Sequence, residues 1–164
     1  MKIKSIATIL VVLLGYSLLS CKKSANHTDL KKNYEISLDK NLLQSPNRYT
    51  ELVQKRATEK VRFTIEDMKR EGNNLLITVK GGCKDDDFNM VWDGQLYFLY
   101  PAQINLVLYN NATSDCQDNK QFTIKVNLRK ILGEHDPKNF IFNVANGSFQ
   151  QDKSLKQDGT INNK

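Results

Sequence analysis

From Val61 to Val144 apolar side chains recur at every second position in short runs, and each run stops at residues that turn the chain. Val61, Phe63 and Ile65 alternate with Arg62, Thr64 and Glu66; Glu71-Gly72-Asn73-Asn74 supplies a turn, and Leu75, Ile77 and Val79 resume the alternation. Phe88, Met90 and Trp92 alternate up to Asp93-Gly94, and Ile104, Leu106 and Leu108 alternate between Pro101 and Asn110-Asn111. Phe122, Ile124, Val126 and Leu128 form the longest run, broken by Gly133 to Pro137, and Phe140, Phe142 and Val144 close the series before Asn146-Gly147. Successive side chains of a strand point to opposite faces, so each run predicts a short strand with one apolar face. At least six such strands, with no βαβ alternation and no internal repeat, predict an all-β chain. The architecture expected is an antiparallel β-sandwich, Ig-like, or a small barrel, over residues 61–150. Six apolar faces suffice for one core, and Trp92 is expected to fill it rather than to form a ligand platform.

The flanks are less regular. Residues 34–60 form a lead-in that reads as a short strand, from the alternation of Tyr34, Ile36 and Leu38, and then a helix. Ser45-Pro46-Asn47 is a turn or a helix start, and Tyr49, Leu52, Val53, Ala57 and Val61 fall at near-helical spacing, predicting a helix over roughly 48–60. Residues 151–164 read as a polar, frayed C-terminal tail, with Leu155 the last sizeable apolar side chain singled out.

The first twenty residues have a different composition. Met1-Lys2-Ile3-Lys4 is a short basic segment, and Ile6 to Leu19 is a mostly apolar stretch of 14 residues. That is short of the ~20 needed for a permanent membrane-spanning helix and has the pattern of a secretory signal. Leu18-Leu19-Ser20-Cys21 resembles the lipobox of bacterial lipoproteins, in which the Cys thiol is acylated and becomes the first residue. The resemblance implies a signal peptide over 1–20, a lipidated Cys21 and a polar tether through residue 33, with the membrane as partner. Lys22-Lys23-Ser24 then looks like lipoproteins of Bacteroidota-type bacteria, where an acidic run after the Cys marks export to the surface. Two lysines stand here instead, so a periplasm-facing outer-membrane anchor is expected, with the cell surface as the alternative. Those lysines suit anionic headgroups, at about 1 kcal/mol each.

The net charge of +6 shrinks once this segment is set aside. Residues 1–20 carry Lys2 and Lys4 and no acid, which leaves +4, and Lys22 and Lys23 beside the new terminus leave +2 for the body from Ser24. A nucleic-acid binder shows a basic stripe, and a nearly neutral body argues against one. Within that body charge is segregated: Lys84 to Asp118 holds Asp85, Asp86, Asp87, Asp93, Asp115 and Asp118 against Lys84, or −5, while the remainder carries +7.

With Cys21 used by lipid, Cys83 and Cys116 remain in an oxidising compartment, with one possible pairing. The bridge would close a loop of 34 residues and, in unstrained geometry, stabilise the fold by roughly 3.5–4 kcal/mol; two buried free thiols are the alternative. Bridging would draw Asp115 and Asp118 toward Asp85, Asp86 and Asp87. Converging carboxylates pair with cations, shift their pKa values or collect a hard metal, so Ca²⁺ is the candidate cofactor, although no EF-hand run is present and solvated loop acids are the plainer reading.

Gly81-Gly82-Cys83, Phe88, Met90, Trp92, Pro101, Gln103, Leu106, Leu108, Asp115 and Cys116 together resemble a pattern in uncharacterised bacterial lipoproteins. That pattern runs roughly G-G-C-x-x-H-x-F-x-[LM]-x-W, then P-x-Q, then L-x-L-x-H with a downstream D-x-C. It covers about a third of the chain and implies a disulfide-bonded β domain with no established activity. Asp86 and Tyr109 stand where the two histidines are expected, which puts any site those histidines make in doubt here.

Catalytic patterns are sparse. His27 and His135 are the two histidines, too few for a His/Cys zinc site. His135 beside Asp136 comes without a nucleophile elbow, and no phosphate-binding glycine loop or Rossmann fingerprint appears. The reading is a membrane-anchored lipoprotein with a non-enzymatic binding or envelope-accessory domain, its partner an envelope protein or glycan. A carboxylate-dependent hydrolase of wall or glycan substrates is the alternative, and a Ca²⁺-binding or purely structural envelope protein a further one.

Overall fold

The alternating runs build two sheets around one apolar layer. The structure is a computed structural model and describes residues 34–82, 88–112 and 119–163. One sheet holds β1 (Tyr34–Ser37), β7 (Gln121–Asn127), β4 (Asn74–Gly81) and β3 (Phe63–Glu71), in that spatial order. The other holds β10 (Ile161–Asn163), β9 (Asp152–Leu155), β8 (Phe140–Asn146), β6 (Ala102–Asn110), β5 (Phe88–Trp92) and β2 (Leu42–Gln44). Both sheets are open, so the fold is an all-β sandwich and not a barrel.

Most neighbouring strands are antiparallel, as expected, but β1 with β7, β2 with β5 and β6 with β8 run parallel. The last pairing has a topological cause. The chain leaves β6, crosses to the first sheet as β7, and returns through a one-turn helix α2 (Arg129–Leu132) and a 3-10 turn (Pro137–Asn139) before entering β8. Each of these two crossings reverses the chain, so the strand that comes back runs in the direction of the strand that left.

Phe63, Ile65, Ile77, Val79, Phe122 and Ile124 of the first sheet face Phe88, Met90, Leu106, Leu108, Phe142 and Val144 of the second. The Phe88 ring is central, edge-on to Phe63 at 5.2 Å and tilted against Phe122 at 5.6 Å between centroids. Trp92 joins the same layer, as the pattern predicted. Each side chain so buried contributes about 1.5–3 kcal/mol relative to exposure.

The predicted hairpin forms β3 and β4, with Glu71 paired to Asn74. Gly72 takes φ 55° at the first central position, the conformation a type II′ turn requires there. Between Ile65 and Asp67 the register slips by a bulge, which turns Glu66 and Asp67 outward and returns Met68 to the core. Val61, the nominal start of that run, lies ahead of β3 and is 61 % exposed.

A helix, α1 (Pro46–Lys55), starts two residues earlier and ends sooner than its spacing predicted. Ser45 caps it by accepting the Arg48 N–H at 3.3 Å, and Pro46 takes the first turn, where a missing N–H costs nothing. It lies on the outer face of the six-stranded sheet, packing Leu52 with half-buried Tyr49 and Val53 against Val91, Val107 and Ala145. The Arg56 guanidinium then clamps the Asp152 carboxylate of β9 in a two-pronged ion pair.

The expected frayed tail is instead an ordered extension of the sheet. β9 pairs with β8 and β10 with β9, and Leu155 is fully buried opposite Phe142. A single well-placed leucine on a strand whose other residues are polar gives too weak a period to read from sequence. No helix among the described residues is long and apolar enough to cross a membrane.

Candidate functional site

The residues singled out for lipidation, disulfide formation and cation binding are Cys21, Cys83, Cys116, Asp85, Asp86, Asp87, Asp115 and Asp118. All of them lie outside the described residues. Asp93, the remaining acid of that segment, is described and buried. Its carboxylate accepts the Gln95 N–H at 3.0 Å, the Tyr97 hydroxyl at 2.9 Å and the Asn105 amide at 3.4 Å. Three neutral donors thus staple the loop after β5, and no cation pairs with it among the described residues. That polar system continues across the outer sheet face, where Asn143 donates to Asn105 and Gln103 at 3.1 Å and accepts from Ser154 at 2.7 Å. His135 stacks edge-on with Phe98 at 5.6 Å, and Asp136 caps the 3-10 turn by accepting the Lys138 N–H at 2.9 Å. The pair is therefore engaged in structure. No cluster of three metal-ligating side chains occurs among the described residues.

A cavity of 360 Å³ opens where α1 overhangs the end of the sandwich. Arg48 and Lys55 of α1, Arg62 on the approach to β3, Tyr109 near the end of β6, and the Gly147-Ser148 turn after β8 line it. Each wall has a local cause. Tyr109 sits on the outward parity of β6, while Leu106 and Leu108 take the inward one. Gly147 donates its N–H to the Leu108 carbonyl at 2.8 Å, and a Cβ there would come within 2.7 Å of Tyr109 Cβ. Glycine alone lets that turn lie flush against β6. Ser148 Oγ donates to Asn146 Oδ1 at 2.8 Å and accepts the Arg62 N–H at 3.2 Å, fixing where Arg62 enters.

The charges are unequal. Arg48 and Lys55 both donate to Glu51, at 2.8 and 2.6 Å, and these two hydrogen bonds hold the Glu51 carboxyl down at about 2. The Arg48 guanidinium lies over the Tyr109 ring, 5.5 Å from its centroid, and its pKa is raised by the Glu51 hydrogen bond. Arg62 donates to the Ala112 carbonyl, a neutral acceptor, and has no ion pair among the described residues. Glu59 stands on the exposed rim. Three cations therefore face two carboxylates, one of which two of the cations share.

Asn110, also in the lining, turns inward at 7 % exposure; its Oδ1 accepts the Ala112 N–H at 2.8 Å, and its Nδ2 is buried with no partner among the described residues. That nitrogen lies beside Gly82, where a Cβ would approach it to 3.0 Å.

None of Arg48, Lys55 or Arg62 was nominated by sequence, because isolated basic residues on a helix and at a strand start carry no motif. Tyr109 did stand out, as the position where the resembling lipoproteins carry histidine. Compared with known proteins, the chain matches no protein-family model, no curated protein and no solved structure.

Proposed function

We propose that this chain is a lipoprotein anchored by Cys21 and facing the periplasm, whose sandwich is a non-enzymatic binding domain with its ligand site in the cavity beside α1. The cavity carries the reading. At 360 Å³ it falls in the range of small-ligand sites, roughly 300–1,000 Å³, and it combines an aromatic ring, hydroxyl and amide groups with converging cations. Its described lining offers mostly donors, with the single carboxylate Glu59 at the exposed rim and no cysteine, histidine or carboxylate pair, a composition suited to holding a ligand rather than cleaving one. The basic segment, the apolar stretch and Leu18-Leu19-Ser20-Cys21 support the anchor.

Replacing Cys21 with Ser removes the acylation site, so the protein is expected to leave the membrane fraction or to remain unprocessed. A Cys21→Ser form that still partitions with membranes and shows signal cleavage would end the anchoring idea. A hydrolase acting on wall or glycan substrates is the competing outcome, and turnover in an unbiased hydrolase screen with the full-length protein would establish it.

Cys83–Cys116 pairing belongs to the same reading, since an exported protein matures where thiols oxidise. The intact mass of periplasm-matured protein is expected to rise by two hydrogens on reduction. Alkylation of both thiols without reductant would refute the bridge.

A further inference from the structure

Resting on that binding reading, we infer that the cavity grips an oxyanion, a carboxylate or phosphate group on a small ligand, between Arg48, Lys55 and Arg62. A guanidinium held over an aromatic ring by its charge still presents N–H edges, whose fork matches the two oxygens of an oxyanion. Arg48 is so held over Tyr109, and its Nη1 is engaged by Glu51. Arg62 spends an N–H on the Ala112 carbonyl, which neutralises none of its charge. Lys55, paired with Glu51, adds a compact third cation two turns further along α1.

Glu51 explains how Arg48 and Lys55 stay side by side without a ligand. Its carboxylate bridges Arg48 and Lys55, but it is one charge between two and lies on the helix, outside the cavity lining. A ligand oxyanion placed between Arg48 and Arg62 would meet charge that Glu51 leaves uncompensated. Glu59 sets one carboxylate on the exposed rim, which leaves the three cations in excess by one over Glu51 and Glu59 together, and the Tyr109 hydroxyl and the Asn111 side chain among the lining can serve the neutral remainder of the ligand. Two envelope sources offer such a group, an acidic sugar and a phospholipid headgroup, and both share the chemistry proposed.

The test uses the full-length protein in detergent micelles, with the melting transition followed by emission of Trp92, the single tryptophan, which is buried in the core. Inorganic phosphate, glycerol phosphate and glucuronate, each against NaCl at matched ionic strength, are expected to raise the melting temperature, by about 3–6 °C at a hundredfold excess over Kd for the ligand that fits. Glucose is expected to do nothing. A preference for glycerol phosphate indicates the headgroup source, and a preference for glucuronate the sugar source. Arg48→Gln and Lys55→Gln, at a half-exposed and an exposed position on α1 whose ion pairs contribute little to folding, are each expected to weaken binding about tenfold. If the anions do no more than NaCl, or if both variants respond like the parent, the oxyanion assignment is overturned. Stabilisation by glucose but not by the anions overturns it too, while leaving a binding cavity in place; the anchor, tested at Cys21, is untouched by either result.

Discussion

Phe88→Ala is expected to lower the melting temperature of the protein by roughly 10–20 °C, the largest effect of any single truncation in the core. The ring is fully buried where the two sheets meet, edge-on to Phe63 and tilted against Phe122. Phe→Ala in a core costs about 3–5 kcal/mol, at the upper end where the surroundings cannot collapse. Collapse is hindered here. Phe88 opens β5 with its backbone paired to Asn110 on one side and its ring pressed against Gly82, where a Cβ would lie 2.7 Å from the ring edge. Against a typical total stability of about 5–15 kcal/mol, that loss is a large share. Denaturant titration read through Trp92 measures it, with Tyr100→Ala at a fully exposed loop position as the control, expected within about 0.5 kcal/mol of the parent. A Phe88→Ala loss below about 1 kcal/mol would mean that the aromatic layer is not what holds the sheets together.

Phe88 is also a residue that the sequence exposed plainly. It heads a run whose inward parity is set by every second residue, and burying one face of a strand enforces that parity, because a slip of one position would turn the whole apolar set to water. The same reasoning made β3, β4, β6, β7 and β8 legible and placed Trp92 in the core. Direction of pairing was not legible: nothing in an alternating run tells whether its neighbour comes from a tight turn or from a crossing of the sandwich. The three parallel pairings follow from connections that period-two reasoning does not see. A signal for the helix's resting place was present but easily passed over. Met90-Val91-Trp92, Leu106-Val107-Leu108 and Val144-Ala145 are continuous apolar runs inside alternating ones, and continuous runs mark strands covered on both faces. Val91, Val107 and Ala145 are the outward-facing members, and α1 covers them.

The candidate site was far less readable for the same reason. It is assembled from single residues of α1, β6, the approach to β3 and the turn after β8, each unremarkable in its own segment. Arg48 has the look of any solvated helix residue until Tyr109, 61 positions later, is seen beneath it. Tertiary convergence of this kind leaves no spacing pattern, unlike a motif held on one loop.

Asn146→Leu is expected to cost on the order of 3–5 kcal/mol and to abolish anion binding with it. The side chain is completely buried and joins the sheets through hydrogen bonds: its Nδ2 donates to the Phe63 carbonyl of β3 at 2.8 Å. Its Oδ1 accepts both the Ser148 N–H, at 2.9 Å, and the Ser148 hydroxyl, at 2.8 Å. Gln151 completes the arrangement, its amide accepting the Ile65 N–H at 2.8 Å and donating to the Ile65 carbonyl at 3.3 Å, so that a side chain plays the part of a neighbouring strand for β3. Leucine keeps the branched shape of asparagine but leaves the Phe63 carbonyl and both Ser148 donors buried without that partner, and an unmade buried hydrogen bond costs about 1–3 kcal/mol per group. Ser148 links this core to the proposed site, because its hydroxyl accepts the Arg62 N–H and its turn walls the cavity. Ser148→Ala removes that hydroxyl while keeping the Asn146 acceptor on the Ser148 N–H, so a smaller loss, about 1 kcal/mol, is expected together with weakened anion binding. Chemical denaturation gives the two stabilities, and the phosphate or glucuronate melting shift gives the two affinities. If Asn146→Leu unfolds with the parent's midpoint, or loses stability while Ser148→Ala binds the anions as tightly as the parent, then the Asn146–Ser148–Arg62 chain of hydrogen bonds does not position the site.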